Sequence, residues 1–286
     1  MSNISPTKNK LQKIYIISWF GTDKRDKRKK NHELQIDWCI KNKLQPYVLP
    51  QQYLMDDRLP TVNYLPEPNK LLLPSEARNL CLKEFYNSDD DFAIFADNDS
   101  VLHDGEKYCD SSDFVSKFNN IDMSELCGVD LFFPLNPGKT PFTKTYTELS
   151  DQLSKYFIVM RNYDSKGSML ILRNLKKFYN LEIYFDENNY KDENNKIITH
   201  EDVDFGVQIS KHLLGCHMLL NVVLKEMGSS TWTNDRSDTH NLGKTILARK
   251  HNLPLKENKI SYKPLHFGKS NKILADKQMI NKHVLF

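Results

Sequence analysis

Residues 92–99 read Phe-Ala-Ile-Phe-Ala-Asp-Asn-Asp. Five apolar residues follow the acidic turn Asp89-Asp90-Asp91 and stop at a second acidic triplet, Asp97-Asn98-Asp99. Such a run predicts a buried strand. In open α/β sheets, ligands bind beyond the carboxyl ends of the strands. Two carboxylates two residues apart at such an end can converge on one hard cation. Mg²⁺ or Mn²⁺ suits oxygen ligands of this kind, with phosphates and water filling the other positions. An acidic turn with no ligand is the competing reading, because Asp and Asn are common turn formers.

Upstream of this strand, Ser75 is a plausible N-cap for a helix through Tyr86, with Ala77, Leu80, Cys81 and Phe85 at helical spacing. Residues 50–74 hold five prolines and read as loop. Tyr47-Val48-Leu49 reads as a short strand, and Asn31 to Lys43 as a helix with Ile36, Cys39, Ile40 and Lys43 on one face. Ile14–Trp19, IYIISW, has the unbroken apolar character of a central buried strand. Strand, helix, strand, helix, strand over the first hundred residues predicts an α/β chain with a mixed, mostly parallel sheet. Downstream, 131–133 and 169–172 read as strands, 175–180 and 201–214 as helices, and the Lys-rich end has a mixed pattern.

The composition bounds the class. The chain has 286 residues, 39% hydrophobic and 27% charged, with 15 Phe, 13 Tyr and 3 Trp, which argues for a packed core over disorder. Its formal net charge is only +3. Five cysteines without a C-x-x-C spacing read as buried thiols in a reducing compartment, not as a disulfide framework or zinc site. The polar N-terminus shows no signal peptide, and the longest apolar stretch, Leu213 to Leu224, is too short to span a bilayer. A cytoplasmic protein without membrane partners is expected.

Three further groups could carry chemistry. Thr199-His200-Glu201-Asp202 opens the 201–214 helix. Thr199 and Asp202 have the spacing of a capping box, and acids in a first helical turn suit the macrodipole. The same placement can hold Glu201 or Asp202 near an acceptor hydroxyl as general base. Arg78 could reach a phosphate or base edge, unless Arg78 and Asn79 form a solvated helix face. His240 or His266 could complete a metal sphere, though a lone His is more often a hydrogen-bonded structural residue.

Taken in order, IYIIS, SEARNL, FAIFADNDSVL, the Gly-Ser-Met-Leu-Ile-Leu strand and THEDVDF resemble the glycosyltransferase-A (GT-A) superfamily over roughly residues 13 to 240. The resemblance implies a Rossmann-like nucleotide-sugar-binding fold, a UDP-sugar donor and a Mn²⁺ or Mg²⁺ cofactor. It implies donor and metal contacts at Asp97 and Asp99, with Arg78 and Asn79 near the nucleotide. Glu201 or Asp202 becomes the acceptor-side acid, and His240 or His266 the third metal ligand. It divides the chain into a nucleotide-sugar half (11–135), an acceptor half (136–235) and a basic C-terminal segment (236–286). Within the superfamily the chain looks most like the enzymes of T-even bacteriophages that glucosylate hydroxymethylcytosine, which implies double-stranded modified DNA as acceptor in a host cytoplasm.

Charge distribution bears on that acceptor. Lys24, Arg25, Lys27, Arg28, Lys29 and Lys30 form one basic block, and Lys244–Lys282 carries ten basic residues against two acids. Lys and Arg contacts to phosphates supply most sequence-independent DNA affinity. A solvated basic face explains the same pattern. Protein, lipid or polysaccharide acceptors, and a DNA-binding protein with a nuclease-like acidic cluster, are the alternatives.

Overall fold

The computed structural model describes residues 11–21, 24–103, 114–120, 131–135, 146–148, 157–160, 168–194, 196–212, 217–226 and 236–260. Its strands are β1 (Leu11–Trp19), β2 (Gln45–Gln51), β3 (Asn63–Tyr64), β4 (Phe92–Asp97), β5 (Ser100–His103), β6 (Leu131–Leu135), β7 (Tyr146–Glu148), β8 (Phe157–Met160), β9 (Met169–Arg173) and β10 (His217–Glu226). A separate small hairpin pairs β11 (Leu255–Lys256) with β12 (Lys259–Ile260). The helices are α1 (Arg25–Lys41), α2 (Pro74–Tyr86), α3 (Phe114–Asn119), α4 (Leu175–Tyr179), α5 (Glu201–His212) and α6 (Arg236–His251).

One sheet runs β3-β2-β1-β4-β9-β6-β10-β8-β7, with β5 paired to β10. The four strands from β3 to β4 are parallel throughout. β9 is antiparallel to both its neighbours, and β6 and β10 resume the first direction. This is the expected mixed sheet. β2 and β3 lie on one side of β1 and β4 on the other, so the winding reverses between β1 and β4. This reversal is a topological switch point, the place where open α/β sheets bind ligands, beyond the strand ends at Trp19 and Asp97.

The unbroken apolar runs follow from cover on both faces. Alternate residues of β1 and β4 face opposite sides. Tyr15 stacks on Phe95 (centroids 5.4 Å apart) and packs with Ala77, Cys81, Leu82 and Phe85 of α2 and Phe205 and Ile209 of α5. Phe92 packs edge-on against Phe118 of α3, which meets Phe132 of β6. Cys39 and Cys81 are buried free thiols, as expected.

Several boundaries differ from the sequence reading. α1 begins at Arg25, not Asn31, so the basic block is helical; Lys and Arg are good helix formers. Ile40, expected on its buried face, is half exposed. α2 begins at Pro74, and Ser75 is a buried first-turn residue instead of the N-cap. Pro is preorganised for the first helical position, and Glu76 takes the Leu73 amide at 2.8 Å. Leu80, expected in the core, is exposed, whereas Arg78 and Asn79 are buried. The Lys-rich end contains α6, and the 217–224 part of the long apolar stretch lies in β10.

Candidate functional site

The acidic triplet stands where the strand reading puts it. Asp97 is the last residue of β4, Asn98 and Asp99 form the turn, and β5 resumes at Ser100. The Asp97 amide donates to Ser168 O at 3.0 Å, tying the turn to the strand that follows. The Asp97 side chain is 33% exposed. Gln35 of α1 supports the turn from behind through the carbonyls of Asp97 and Ser100.

Arg78 connects this strand end to the second acidic group. Its Nη1 donates to Glu201 Oε1 at 3.0 Å and its Nη2 to Asp97 Oδ1 at 3.2 Å. The side chain is 7% exposed and its guanidinium lies over the Phe185 ring, 5.4 Å from the centroid. Phe185 in turn stacks on Phe205 of α5 at 4.2 Å. Burial opposes the guanidinium charge, but Asp97, Glu201 and Asp202 hold the group protonated. Neither a solvated face nor an open phosphate-binding arm describes this residue.

Asn79 is committed to the protein as well. Its Nδ2 donates to Phe185 O (2.9 Å) and Glu187 Oε1 (2.7 Å), and its Oδ1 accepts from Phe185 N (2.8 Å). A buried amide with these partners clasps the 185–187 segment.

At the start of α5, Glu201 is 12% exposed. Burial, then the neighbouring Asp202 charge, push its carboxyl up to about 7 against the pull of Arg78. Asp202 Oδ1 accepts from Val203 N at 2.8 Å. The anticipated Thr199 capping box does not form. The Thr199 hydroxyl meets His200 Nδ1 (3.0 Å) and Thr239 O (3.3 Å) instead.

His200, which sequence reasoning passed over, is buried with a backbone φ of 83°. That left-handed conformation is uncommon for a residue with a side chain and costs of order 1–3 kcal/mol. Its ring sits 4.4 Å from that of His240. Burial, then the nearby His240, lower the His200 imidazole to about 4, so it is neutral at physiological pH. α6 presses closely here: a Cβ on Gly243 would lie 2.1 Å from Thr199 O. No local sequence signal distinguishes His200; the conformation follows from this tertiary contact.

Carboxylates at the β4 end are the donor type that Mg²⁺ or Mn²⁺ prefers. Among the described residues no three His, Cys, Asp or Glu side chains gather into a metal-holding group. His240 lies beside His200, the two ring centroids 4.4 Å apart. The donor set fits a cation held by two carboxylates, with phosphate and water completing its sphere. His266 lies outside the described residues.

The basic block is part paired within the protein and part exposed. Arg28 is buried, donates to Phe20 O at 2.8 Å and lies over Trp19 at 4.4 Å. Arg25 pairs with Asp57, and Lys29 reaches the same carboxylate at 3.3 Å. Lys24, Lys27 and Lys30 are the exposed members of the six. In the C-terminal group Lys250 is paired with Asp186 (2.6 Å) and Asp204 (2.9 Å), and Lys263, Lys269, Lys272, Lys277 and Lys282 lie outside the described residues. No helix among the described residues is long and apolar enough to cross a membrane.

No protein-family model and no curated protein matches the chain. Solved structures do. The mannosyltransferase PcManGT from Pyrobaculum calidifontis, in complex with GDP-Man and Mn²⁺, aligns with a TM-score of 0.55 at 10% identity, covering 96% of this chain and 73% of its own. The inositol-1-phosphate CTP transferase from T. maritima aligns with a TM-score of 0.45 at 13% identity, over 82% of this chain and 96% of its own. A Drosophila galactosyltransferase 7 complex with manganese, UDP-Gal and xylobiose gives 0.40 at 11%, over 80% and 79%. The chain thus shares the fold of that mannosyltransferase, a Rossmann-like α/β fold of GT-A type.

Proposed function

We propose that this chain is a metal-dependent glycosyltransferase that moves a sugar from a UDP-sugar to a hydroxyl acceptor. The observation that carries this reading is the Arg78 bridge. It joins the Asp97 carboxylate at the β4 end, next to the β1/β4 switch point, to the acid at the α5 start. A divalent cation, when bound, supplies Lewis-acid neutralisation of the diphosphate leaving group. Asp99 and Asp97 are the residues that would hold it. Glu201 is fixed on Arg78, so the adjacent Asp202 is assigned to take the proton from the acceptor hydroxyl. Position precedes proton affinity in choosing a base.

For the acceptor we put forward duplex DNA carrying hydroxymethylcytosine, free or already glucosylated. The resemblance to the phage enzymes and the exposed Lys24, Lys27 and Lys30 at the start of α1 support it. The test is incubation with labelled sugar nucleotides, Mn²⁺ and such DNA, followed by digestion to nucleosides and mass measurement. A hexose or pentose increment on the modified cytosine is expected. Transfer only to a protein, lipid or polysaccharide hydroxyl would reject the DNA acceptor. No transfer or sugar-nucleotide cleavage with any donor would reject the enzyme reading.

A further inference from the structure

Arg78 is buried and touches both Asp97 and Glu201. Its fork spans from Asp97 on β4 to Glu201 on α5, residues 104 positions apart. Its flat face rests on Phe185, and Asn79, the next residue on α2, clasps the Phe185 backbone in both directions. α2 therefore holds β4, the 185–187 segment and α5 through two consecutive side chains. A planar guanidinium can satisfy two carboxylates at once, which an ammonium does with much less geometric control.

We propose that Arg78 is a positioning residue: it sets the acid-bearing start of α5 at a fixed reach from the β4 end and does not itself bind the nucleotide. The inference rests on the reading of α5 as the acceptor-side acid site. With Glu201 pinned by its first carboxylate oxygen, the adjacent Asp202 is carried on a helix start that cannot rotate away. The groups that act on Glu201 are Asp202 from its own helix and Arg78 from α2, with Asp97 acting through the shared guanidinium.

The test reads Glu201 directly. Protein labelled with ¹³C at glutamate carboxyls is titrated by NMR, and the Glu201 signal is assigned by its loss in Glu201→Gln. Arg78→Gln should raise the Glu201 midpoint by about one pH unit or more, because a nearby cation favours the charged carboxylate. Arg78→Lys should restore part of that shift. Asp97→Asn, at a part-exposed position, should move the midpoint down, since Arg78 then serves Glu201 alone. In turnover, Arg78→Lys should lower kcat at least tenfold and leave KM for the sugar nucleotide within about twofold. A midpoint that stays put in folded Arg78→Gln overturns the proposal. If that variant does not fold, an unmoved midpoint in Asp97→Asn overturns it. A raised KM with unchanged kcat also overturns it, by pointing to nucleotide binding. The titration is independent of turnover, so absence of transfer sinks the enzyme reading without touching the Arg78–Glu201 link.

Discussion

The Gln35 side-chain amide donates to the Asp97 carbonyl at 2.7 Å and, from the same nitrogen, to the Ser100 carbonyl at 2.6 Å. One glutamine of α1 thus braces both flanks of the Asn98–Asp99 turn. Gln35→Leu would leave two inward carbonyls without this donor, at a cost of about 2–3 kcal/mol. Urea unfolding should show a lower midpoint with an unchanged slope. Metal-dependent binding of a sugar nucleotide should weaken as well, because the turn loses its fixed orientation. An unmoved midpoint would show that the brace is replaceable.

His32 gives a pH dependence with a definite sign. Its ring is buried edge-on against the stacked Phe20–Tyr53 pair, and neither nitrogen has a hydrogen-bond partner among the described residues. Burial lowers the imidazole from 6.5 to about 4. Above pH 6.5 the ring is neutral in both the folded and unfolded chain and stability is unaffected. As the pH falls from 6.5 toward 4 the unfolded chain takes up the proton first, so stability drops, by about 2 kcal/mol at pH 5. His200, lowered by burial and His240, adds a second contribution over the same window. His32→Phe should therefore shrink, but not abolish, the difference between urea midpoints measured at pH 7.5 and 5.0.

Two acids on one helix should separate cleanly. Asp204 is fully buried and accepts from Lys250 (2.9 Å) and Gln208 (2.7 Å), with His251 Nε2 2.6 Å from its other oxygen. Asp204→Ala strips a partner from Gln208 and His251 and leaves Lys250 with Asp186 alone, and should cost about 2–3 kcal/mol, visible as a clear loss in Tm. Asp202, half-buried at the α5 start, should tolerate Asn with a Tm change of a degree or two while transfer falls by at least a hundredfold. Equal losses of Tm in the two variants would make Asp202 a structural acid.

How far the sequence speaks for itself can be read from particular residues. Ile14–Trp19, Phe92–Ala96 and Met169–Leu172 are legible because strands covered on both faces leave no polar alternation to confuse. The acidic strand end is legible for the same reason: the apolar run stops at Asp97. Arg78 is not, because an arginine on a helix reads as solvated unless its partners are known. Glu201 lies 123 residues away. Arg28 is hidden likewise, in a block that reads as a surface patch while its guanidinium lies under Trp19. Gly21 nearby shows how tight that junction is: its φ is +63°, and a Cβ there would lie 2.7 Å from the Trp19 ring and 2.9 Å from Arg28 Nη1. Local propensity carries no record of such packing.

The metal proposal is decided at Asp99. It sits half-buried in the turn beside Asp97, outside the core, so Asp99→Ala should leave the fold intact and Tm within about two degrees. Mn²⁺ should stabilise the unsubstituted protein in the presence of UDP, through linkage of binding to folding, and this stabilisation should vanish in the variant. Chelation by EDTA should abolish transfer by the unsubstituted protein, and added Mn²⁺ should restore it. Asp97→Asn is the companion measurement. It keeps the turn but removes a carboxylate that Arg78 also uses, so it should weaken Mn²⁺-dependent stabilisation and alter the Glu201 titration together. Asp99→Ala should affect only the first. Full Mn²⁺-dependent stabilisation in Asp99→Ala would place the cation elsewhere.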